Sequence, residues 1–374
     1  MHTSIRIATI WGIPIRLHWT FVLVLGWLVY LGIPDWQYFR GQRAVWMFVS
    51  VFAVFLCILL HELGHAFMAK RYGVQTLQIM LSPIGGQAIL ERMPKQPRKE
   101  LLVALAGPIV NLLLAIGALP FLYWIPVEKL ARLPQFFSNP YGNTFLRLDL
   151  DERFIIGFVL LNFLVAIFNL IPAFPLDGGR ILRALLSMRM NKVGATRIAT
   201  FLGQGFAALI VLFSVSQYNW LMGVIGLFIF VSASMEYRYV KLDSRLHSFS
   251  VQDILRARFT PIFLDQELTH IIKQWREGSE KNFLVFDQGN ILQGVLTSPM
   301  LMEHQDSDAM HRVSDLATED FEAIRSTDNL MKVIRLMQEK DYEILPVYEN
   351  ESLVGVVDWN DVEHFVRLQK EQVR

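Results

Sequence analysis

The sequence predicts a polytopic α-helical membrane protein followed by a soluble α/β domain. Between Leu17 and Met235, charged residues are confined to short clusters that separate uncharged runs of roughly 20 residues, the length that spans a bilayer as a helix. From Glu236 onward, charges occur every few residues, as in ordinary soluble protein. We therefore expect a transmembrane domain over residues 1–240 and a soluble domain over residues 241–374.

About six transmembrane helices are expected, because the last of five uncharged segments is too long for one crossing. The segments are Leu17–Ile33, Ala44–Leu60, Leu101–Val127, Phe154–Leu176 and Ile198–Met235. At 1.5 Å per residue, the last would extend about 57 Å as one helix. Polar residues in Ser214–Trp220 indicate a break between two spans. The N-terminal sequence lacks the pattern of a cleavable signal, so the first segment is interpreted as a retained span.

The distribution of Lys and Arg predicts cytoplasmic N- and C-termini. This rule gives sidedness only, and we separately expect an integral multi-pass protein of the cell membrane. Two loops carry an excess of basic residues, which are Lys70, Arg71, Arg92, Lys95, Arg98 and Lys99 in the first and Arg180, Arg183, Arg189, Lys192 and Arg197 in the second. The short loop with Arg40 and Arg43 is a mild exception. The formal net charge of +1 argues against a nucleic-acid partner, and the single Cys57 excludes an intramolecular disulfide framework.

The motif HELGH at residues 61–65 places three ionisable side chains at the end of an apolar run. On a helix, His61 and His65 share a face and can bind one metal ion, and Glu62 is positioned to take a proton from water at that metal. If the helix begins near Ala44, His61 lies about 25 Å along it, still within the hydrocarbon core. Polar clusters at that depth are costly and usually functional, which favours a zinc site over two histidines at a helix end.

A third ligand is needed, because zinc in hydrolytic sites takes three protein ligands. Asp177 follows directly on Phe154–Leu176, where Pro172 and Pro175 break the helix. Irregular backbone at membrane depth is tolerated where it lines a cavity, so the break can turn Asp177 toward the metal. The alternative is that Asp177 is the N-cap of a helix that begins at Gly178.

Two further segments of the transmembrane domain carry weaker signals. Leu77–Leu90 alternates like two strands around a Gly-Gly bend. We expect a small membrane-associated β-hairpin, which either holds an extended substrate by strand addition or only packs on the bundle. In Ala106–Asn111, Gly107 and Pro108 suit close helix packing, and Asn111 can hydrogen-bond a metal ligand.

The soluble domain contains a twofold repeat. Ser250–Leu255 matches Arg312–Ala317 at an offset of 62 residues, and Phe283–Thr297 matches Ile344–Asp358 at an offset of 61 residues. Each repeat has a predicted amphipathic helix, a strand, a turn and a second strand. Two such units side by side bury apolar faces that one alone would expose. The repeats cover about residues 248–305 and 311–368.

Together, these motifs resemble the site-2 protease family of intramembrane metalloproteases. HELGH at the end of an apolar span, followed by NLIPAFPLDGGR a little over a hundred residues later, is similar to the paired motifs of that family. The resemblance implies one Zn²⁺ per chain, with His61, His65 and Asp177 as ligands and Glu62 as general base. It also implies that Asn169 helps to hold the oxyanion, although Asn169 can instead cap broken backbone.

The repeat pair resembles the tandem CBS domains of one branch of that family. CBS pairs usually bind adenine nucleotides through a Thr or Ser and an Asp three residues later. The first repeat keeps Thr297 but has Met300 at the Asp position, whereas the second keeps Asp361 but has Asp358 at the hydroxyl position. Thr297 and Asp361 are therefore the candidate cofactor-binding residues. Nucleotide binding, a structural role and dimerisation stay open, and the resemblance implies a homodimer through the CBS domains.

The predicted function is zinc-dependent hydrolysis of a peptide bond in or near the transmembrane segment of a protein substrate embedded in the lipid bilayer. A CBS-regulated membrane ion transporter also explains spans plus CBS domains, but it gives no reason for the spacing of His61, Glu62 and His65. Membrane zinc proteases of another fold typically take a glutamate as third ligand. Here only Asp177 ends an apolar run at a comparable backbone break.

Overall fold

The computed structural model describes residues 4–21, 23, 41–82, 85–91, 93–94, 96–131, 148–304 and 312–372. Side chains are described over the same ranges, except at residues 41–45 and 47. The described residues divide into two compact units, and the boundary falls between Tyr237 and Arg238. Each unit is described by itself below.

The first unit is built mainly from long apolar helices. They are α1 (Gly41–Arg71), α2 (Pro97–Ala118, continued as a 3₁₀ helix over Leu119–Trp124), α3 (Val127–Leu130), α4 (Leu150–Leu170), α5 (Asp177–Ser187), α6 (Lys192–Ser216) and α7 (Trp220–Leu246), the last of which crosses the boundary between the units. Within the described residues, five helices are long and apolar enough to cross a membrane, namely α1, α2 with its extension, α4, α6 and α7.

These five helices confirm five of the six predicted spans. The break between α6 and α7, at residues 217–219, lies inside the predicted break Ser214–Trp220. The remaining predicted span, Leu17–Ile33, begins in a β-strand, and residues 22 and 24–33 lie outside the described residues. Arg40, Arg92 and Lys95, which contribute to the predicted orientation, also lie outside them.

A four-stranded sheet packs against α1. Its strands are β1 (Ser4–Ile10), β2 (Ile13–His18), β3 (Thr76–Ser82) and β4 (Gly85–Leu90), in the order β1-β2-β3-β4. The predicted hairpin is confirmed as β3 and β4, which pair antiparallel, and β2 joins β3 in parallel. The N-terminal hairpin was not predicted. Ile13 and Ile15 of this hairpin face the same side, because every second side chain of a strand does so. Together with Ile79, they are buried against Leu63 and Ala66 of α1.

The helices α1 and α2 approach each other closely at glycines. A Cβ at Gly64 would lie 2.8 Å from Val110 Cγ2 and 2.9 Å from the carbonyl oxygen of Ala106. Such close approach is typical of membrane helix pairs, in which small residues let two backbones pack together. It places the HELGH face of α1 directly against α2.

The second unit shows the predicted repeat. Its elements are β5 (Ile262–Phe263), α8 (Leu268–Glu277), β6 (Phe283–Phe286), β7 (Leu292–Leu296) and α9 (Ser298–Glu303), followed by β8 (Ile324–Arg325), α10 (Leu330–Lys340), β9 (Ile344–Glu349), β10 (Ser352–Asp358) and α11 (Trp359–Glu371). Each repeat forms a three-stranded sheet with one parallel and one antiparallel pair. The repeats also exchange backbone bridges, since Arg256 pairs with Val356 and Thr318 pairs with Val295.

A buried ion cluster ties α5 to its neighbours. Arg183 of α5 is 2% exposed, and its guanidinium contacts Glu100 of α2 at 2.7 Å and also Glu236 of α7. The guanidinium carbon lies 5.2 Å from the ring centroid of Phe174, in the turn before α5. Buried charges at this depth are tolerated only when they are paired, so the cluster fixes α5 relative to α2 and α7.

We expect Arg183→Leu to lower the thermal unfolding temperature of the detergent-solubilised protein. The substitution leaves Glu100 buried without its cation, and breaking a buried pair in this way costs about 3–5 kcal/mol. The exposed pair of Arg367 with Glu363 supplies a matched control, because Arg367→Leu removes a surface contact that contributes at most about 1 kcal/mol. Equal unfolding temperatures for the two variants would contradict the structural role of Arg183.

Candidate metal centre

Two histidines of α1 face the interior of the helix bundle. His61 and His65 are each 5% exposed, and their Nε2 atoms lie 3.1 Å apart. The spacing of four residues puts both rings on one face of the helix, as the sequence predicts. The two Nε2 atoms therefore point to a common position inside the bundle.

The turn after α4 brings Asp177 to the same position. Its Oδ2 atom lies 3.1 Å from His61 Nε2 and 3.2 Å from His65 Nε2. Close contacts at two glycines make this turn possible, because a Cβ at Gly178 would lie 2.1 Å from the carbonyl oxygen of Ile171 and one at Gly179 would lie 2.7 Å from Phe174 N. The chain thus reverses tightly enough to turn Asp177 inward.

The N-cap interpretation of Asp177 is wrong. The helix α5 begins at Asp177 itself, and Leu176 occupies the N-cap position with no side-chain cap hydrogen bond. Asp177 is 7% exposed and its Oδ2 atom faces the two imidazoles. Its carboxylate is therefore directed at the histidines rather than at the end of its own helix.

The three side chains form a set that fits a zinc ion. The mutual distances of 3.1, 3.1 and 3.2 Å between two imidazole nitrogens and one carboxylate oxygen make a nearly equilateral triangle. Ligands at 2.0–2.1 Å from a tetrahedral zinc ion lie about 3.3 Å apart, which agrees with these distances. Two nitrogen donors and one oxygen donor are also the chemistry of catalytic zinc sites. The cluster of His61, His65 and Asp177 can therefore hold a metal ion.

A glycine of α2 leaves space beside this triangle. A Cβ at Gly107 would lie 2.3 Å from His65 Nε2 and 2.6 Å from His61 Nε2. Any side chain at this position would occupy the region into which the two imidazoles point. Gly107 was predicted to serve close helix packing, and the structure shows that the packing is against the metal-binding face of α1.

Backbone and amide groups orient the two imidazoles. The Nδ1 atom of His61 contacts Oδ1 of Asn111, and the Nδ1 atom of His65 lies 2.7 Å from the carbonyl oxygen of Val103. Both partners come from α2. Each acceptor takes the Nδ1–H, which leaves Nε2 free for a metal, the usual arrangement for metal-binding histidines. Asn111 thus contacts a candidate ligand, as its sequence context allows.

The carboxylate of Glu62 lies next to the sheet. Glu62 is 8% exposed, and its Oε2 atom accepts a hydrogen bond of 2.7 Å from the backbone N–H of Ala88 in β4. A Cβ at Gly86 would lie 2.6 Å from Glu62 Cγ, so this strand packs directly on the side chain. Because Ala88 pairs with Ile79 on its other side, the N–H that it gives to Glu62 belongs to the outer edge of the sheet.

Within the described residues, Asn169 makes no hydrogen bond to the cluster. Asn169 lies in the last turn of α4 and is half-buried, and the described residues show no hydrogen bond between its side chain and His61, His65 or Asp177. Its role at the oxyanion stays a prediction. Sequence analysis missed Asn162, a fully buried residue in the same helix that contacts Asn111 at 2.8 Å. A lone amide in an apolar run was the signal that could have identified it.

In the second unit, the two candidate nucleotide-binding residues lie at different positions of their repeats, since Thr297 is the N-cap of α9 whereas Asp361 lies in the first turn of α11. Thr297 and Asp358 occupy the N-cap positions of α9 and α11. Arg256 lies 3.6 Å from Asp358 and 3.7 Å from Asp361, so the acidic residues of the second motif already have a cation beside them.

Burial also changes the acidity of this region. Burial raises the pKa of Asp361, against the opposing effect of Arg256, and burial followed by the charge of Asp358 raises the pKa of Glu343. A cavity of about 480 Å³ lies beside these groups, and its lining includes Asn282, Glu343 and Asn360 but neither Thr297 nor Asp361. The tail thus has a cavity with several polar side chains in its lining next to, rather than at, the predicted pair.

Two family models match the chain. The model of peptidase family M50 matches residues 49–146 and 148–213, and the model of the CBS domain matches residues 313–367. The first match includes all of HELGH and Asp177. The second covers the second repeat, whose pattern of elements the structure also shows in the first repeat.

Three curated proteins are similar to the chain over much of its length. A zinc metalloprotease of Methanocaldococcus jannaschii is 35% identical over 269 residues, which cover 72% of this chain and 70% of the relative. A putative zinc metalloprotease of Synechocystis sp. is 26% identical over 96% of this chain and 94% of the relative. Stage IV sporulation protein FB of Bacillus subtilis is 24% identical over 65% of this chain and 79% of the relative.

A solved structure is also similar. The structure of a site-2 protease from Methanocaldococcus jannaschii has 33% sequence identity to this chain and a TM-score of 0.43. The match covers 63% of this chain and 95% of that protein.

We expect Gly107→Ala to reduce the zinc content of the purified protein by about tenfold or more, the effect usual for residues that orient metal ligands. The added methyl group would enter the space in front of both Nε2 atoms. Gly117→Ala, on the same helix, meets no atom within 4 Å and is the matched control. Zinc is measured by mass spectrometry and helical content by circular dichroism. Full zinc in a folded Gly107→Ala protein would contradict this placement of the metal.

Proposed function

Because the chain belongs to peptidase family M50, the site-2 protease family, we propose that it is a zinc-dependent intramembrane endopeptidase. It would hydrolyse a peptide bond in or near the transmembrane segment of a membrane-anchored protein. The observation that carries the proposal is the triangle of His61, His65 and Asp177, which is buried among helices that can cross a membrane. Fold similarity alone could not assign a reaction, whereas this donor set can.

In the proposed mechanism, His61, His65 and Asp177 hold the zinc ion, which supplies Lewis acidity for peptide hydrolysis. Glu62 is the general base: its carboxylate takes a proton from the attacking water and returns it to the leaving amine. The residue follows His61 directly on α1, at the side of the histidine face where β4 closes the site. Asn169 is proposed to stabilise the oxyanion with its amide N–H.

The outer edge of β4 is the proposed place for the substrate. A helical substrate shields its carbonyl groups with its own hydrogen bonds and must unwind before water can attack. An unwound segment can pair with a strand that has a free edge. The N–H of Ala88 on that edge reaches the Glu62 carboxylate, so a strand added there would place its peptide bonds beside the general base.

The remaining features of the proposal concern topology and assembly. We propose cytoplasmic N- and C-termini, on the basis of the basic loops around α1, α2 and α5, and we propose the cell membrane as the location. The CBS pair is proposed to form a homodimer and to regulate the peptidase.

Glu62→Gln is expected to abolish cleavage and to leave zinc bound. The amide keeps the size of the side chain but cannot accept the proton of water, and Glu62 is not in the metal-binding triangle. The assay uses the full chain in vesicles with single-span model substrates that carry a glycine- and proline-containing stretch. Glu91→Gln, which changes an exposed carboxylate just after β4, is the control. Cleavage by Glu62→Gln at the wild-type rate would exclude the mechanism.

Zinc content tests the metal assignment separately from cleavage. Wild-type protein should hold one zinc ion per chain, and His61→Ala/His65→Ala should hold none. Asp177→Asn should weaken zinc binding by about tenfold or more, because a neutral amide is a poorer ligand than a carboxylate. Asp151→Asn, at an exposed position in the first turn of α4, should bind zinc as the wild type does. A wild-type chain without zinc would favour a non-enzymatic role.

A further inference from the structure

Three buried amide and thiol side chains continue from His61 away from the candidate metal position. Asn111 Nδ2 donates to Asn162 Oδ1 at 2.8 Å. Asn162 Nδ2 in turn donates to the carbonyl oxygen of Phe158 at 2.9 Å and to Cys57 Sγ at 3.2 Å. Asn111 and Asn162 are both 0% exposed, and this series of hydrogen-bonded side chains connects α1, α2 and α4. Polar groups this deep in an apolar bundle are costly. The oxygen and the nitrogen of both Asn side chains accordingly have hydrogen-bonding partners.

We propose that Asn162 is a positioning residue that fixes the tautomer of His61 through Asn111. This inference rests on the proposed zinc site. It assigns a role to Asn162 that neither the HELGH motif nor the sequence around Asp177 contains.

The argument begins with the two ends of an amide. An Asn side chain can present its oxygen or its NH₂ group to a neighbour by turning through 180°. If Asn111 presents its oxygen, it accepts Nδ1–H of His61 and leaves Nε2 with a free lone pair. If it presents NH₂, it donates to Nδ1, and the proton of the neutral imidazole must then be on Nε2. That second tautomer cannot bind a metal through the atom that faces Asp177.

Asn162 selects the first orientation of Asn111. Its Oδ1 atom needs a donor, and its own NH₂ group is held by Phe158 and Cys57. Turning Asn111 over would set two amide oxygens against each other at 2.8 Å and leave buried donors and acceptors unpaired. Burying a polar group without a hydrogen-bonding partner is destabilising. The metal-binding tautomer of His61 is therefore fixed by two amides in series.

The second histidine shows why His61 needs this support. The Nδ1 atom of His65 faces the backbone carbonyl of Val103, which has no donor end and cannot turn over. The tautomer of His65 is consequently fixed by one contact. His61 instead contacts Asn111, whose side chain has both a donor and an acceptor end. The tautomer of His61 therefore depends on Asn162, which fixes the orientation of Asn111.

The test compares zinc affinities of full-length variants in detergent by competition with a chelator. Asn162→Leu removes the acceptor for Asn111, so zinc affinity should fall about 10- to 100-fold, the range for outer residues that orient metal ligands. Asn162→Asp keeps an acceptor oxygen in either protonation state and should stay near the wild type. Cys57→Ala, which removes only the weak thiol contact, is the matched control and should also stay near the wild type.

A rescue variant separates positioning from a merely structural role. In Asn111→Asp/Asn162→Leu, the carboxylate at residue 111 has two acceptor oxygens and, when ionised, no donor end, so it accepts Nδ1–H of His61 whichever way it turns. This double variant should recover most of the affinity lost in Asn162→Leu. If Asn162 only stabilised the fold, the double variant would bind zinc no better than Asn162→Leu, because it adds a buried charge.

Each outcome has one interpretation. Unchanged affinity in Asn162→Leu, or failure of Asn111→Asp to rescue it, overturns the positioning role. If Asn162→Leu does not fold, Asn162→Asp decides, since an affinity well below the wild type there contradicts the inference. A wild-type chain that binds no zinc overturns the proposed function instead, so the two failures are distinguishable.

Discussion

The structure depends on one constraint, which is that two imidazoles and a carboxylate lie together inside an apolar helix bundle. Ionisable groups at membrane depth are costly unless they are paired, hydrogen-bonded or bound to a metal. Around His61, His65 and Asp177, hydrogen bonds and close polar contacts from several elements offset this cost. Oδ1 of Asn111 and the carbonyl oxygen of Val103 accept hydrogen bonds from Nδ1 of His61 and Nδ1 of His65, respectively. Oδ2 of Asp177 lies 3.1–3.2 Å from both Nε2 atoms.

The surrounding fold follows from the need to hold these groups from different helices. Glycines permit the approach: Gly64 and Gly107 let α2 lie against the histidine face of α1, and Gly178 lets the chain reverse before α5. The ion cluster of Arg183 then fixes the helix that carries the aspartate. The edge strand β4 covers the remaining side and contacts the proposed general base.

Sequence analysis was most successful where the signal was local. HELGH and the proline-broken stretch before Asp177 each carry their own pattern, and the family match confirms the resemblance that they suggested. The repeat in the tail was visible because its two copies align at nearly constant offsets. The hairpin β3–β4 was predicted from alternation, but β1 and β2 were not. Their inward residues are buried against strand β3 and helix α1, which are distant in sequence.

Residues that act through other residues were the hardest to predict. Asn162 is one amide in an apolar run, and nothing near it in sequence shows that it faces Asn111 on another helix. Likewise, Arg183 was counted as a loop charge, although it is buried against Glu100 and Glu236. Such pairings depend on how the helices pack, and helix packing is set by shape complementarity that a single sequence does not display.

X-ray absorption at the zinc edge of the purified, full-length protein tests the central claim most directly. The account predicts one zinc ion per chain, with about two imidazole nitrogens and carboxylate or water oxygens at roughly 2.0–2.2 Å, and loss of the protein oxygen in Asp177→Asn. A sulfur ligand at about 2.3 Å would contradict the account, since it would place the metal at a thiolate rather than in the triangle of His61, His65 and Asp177. A zinc-free chain would contradict it as well.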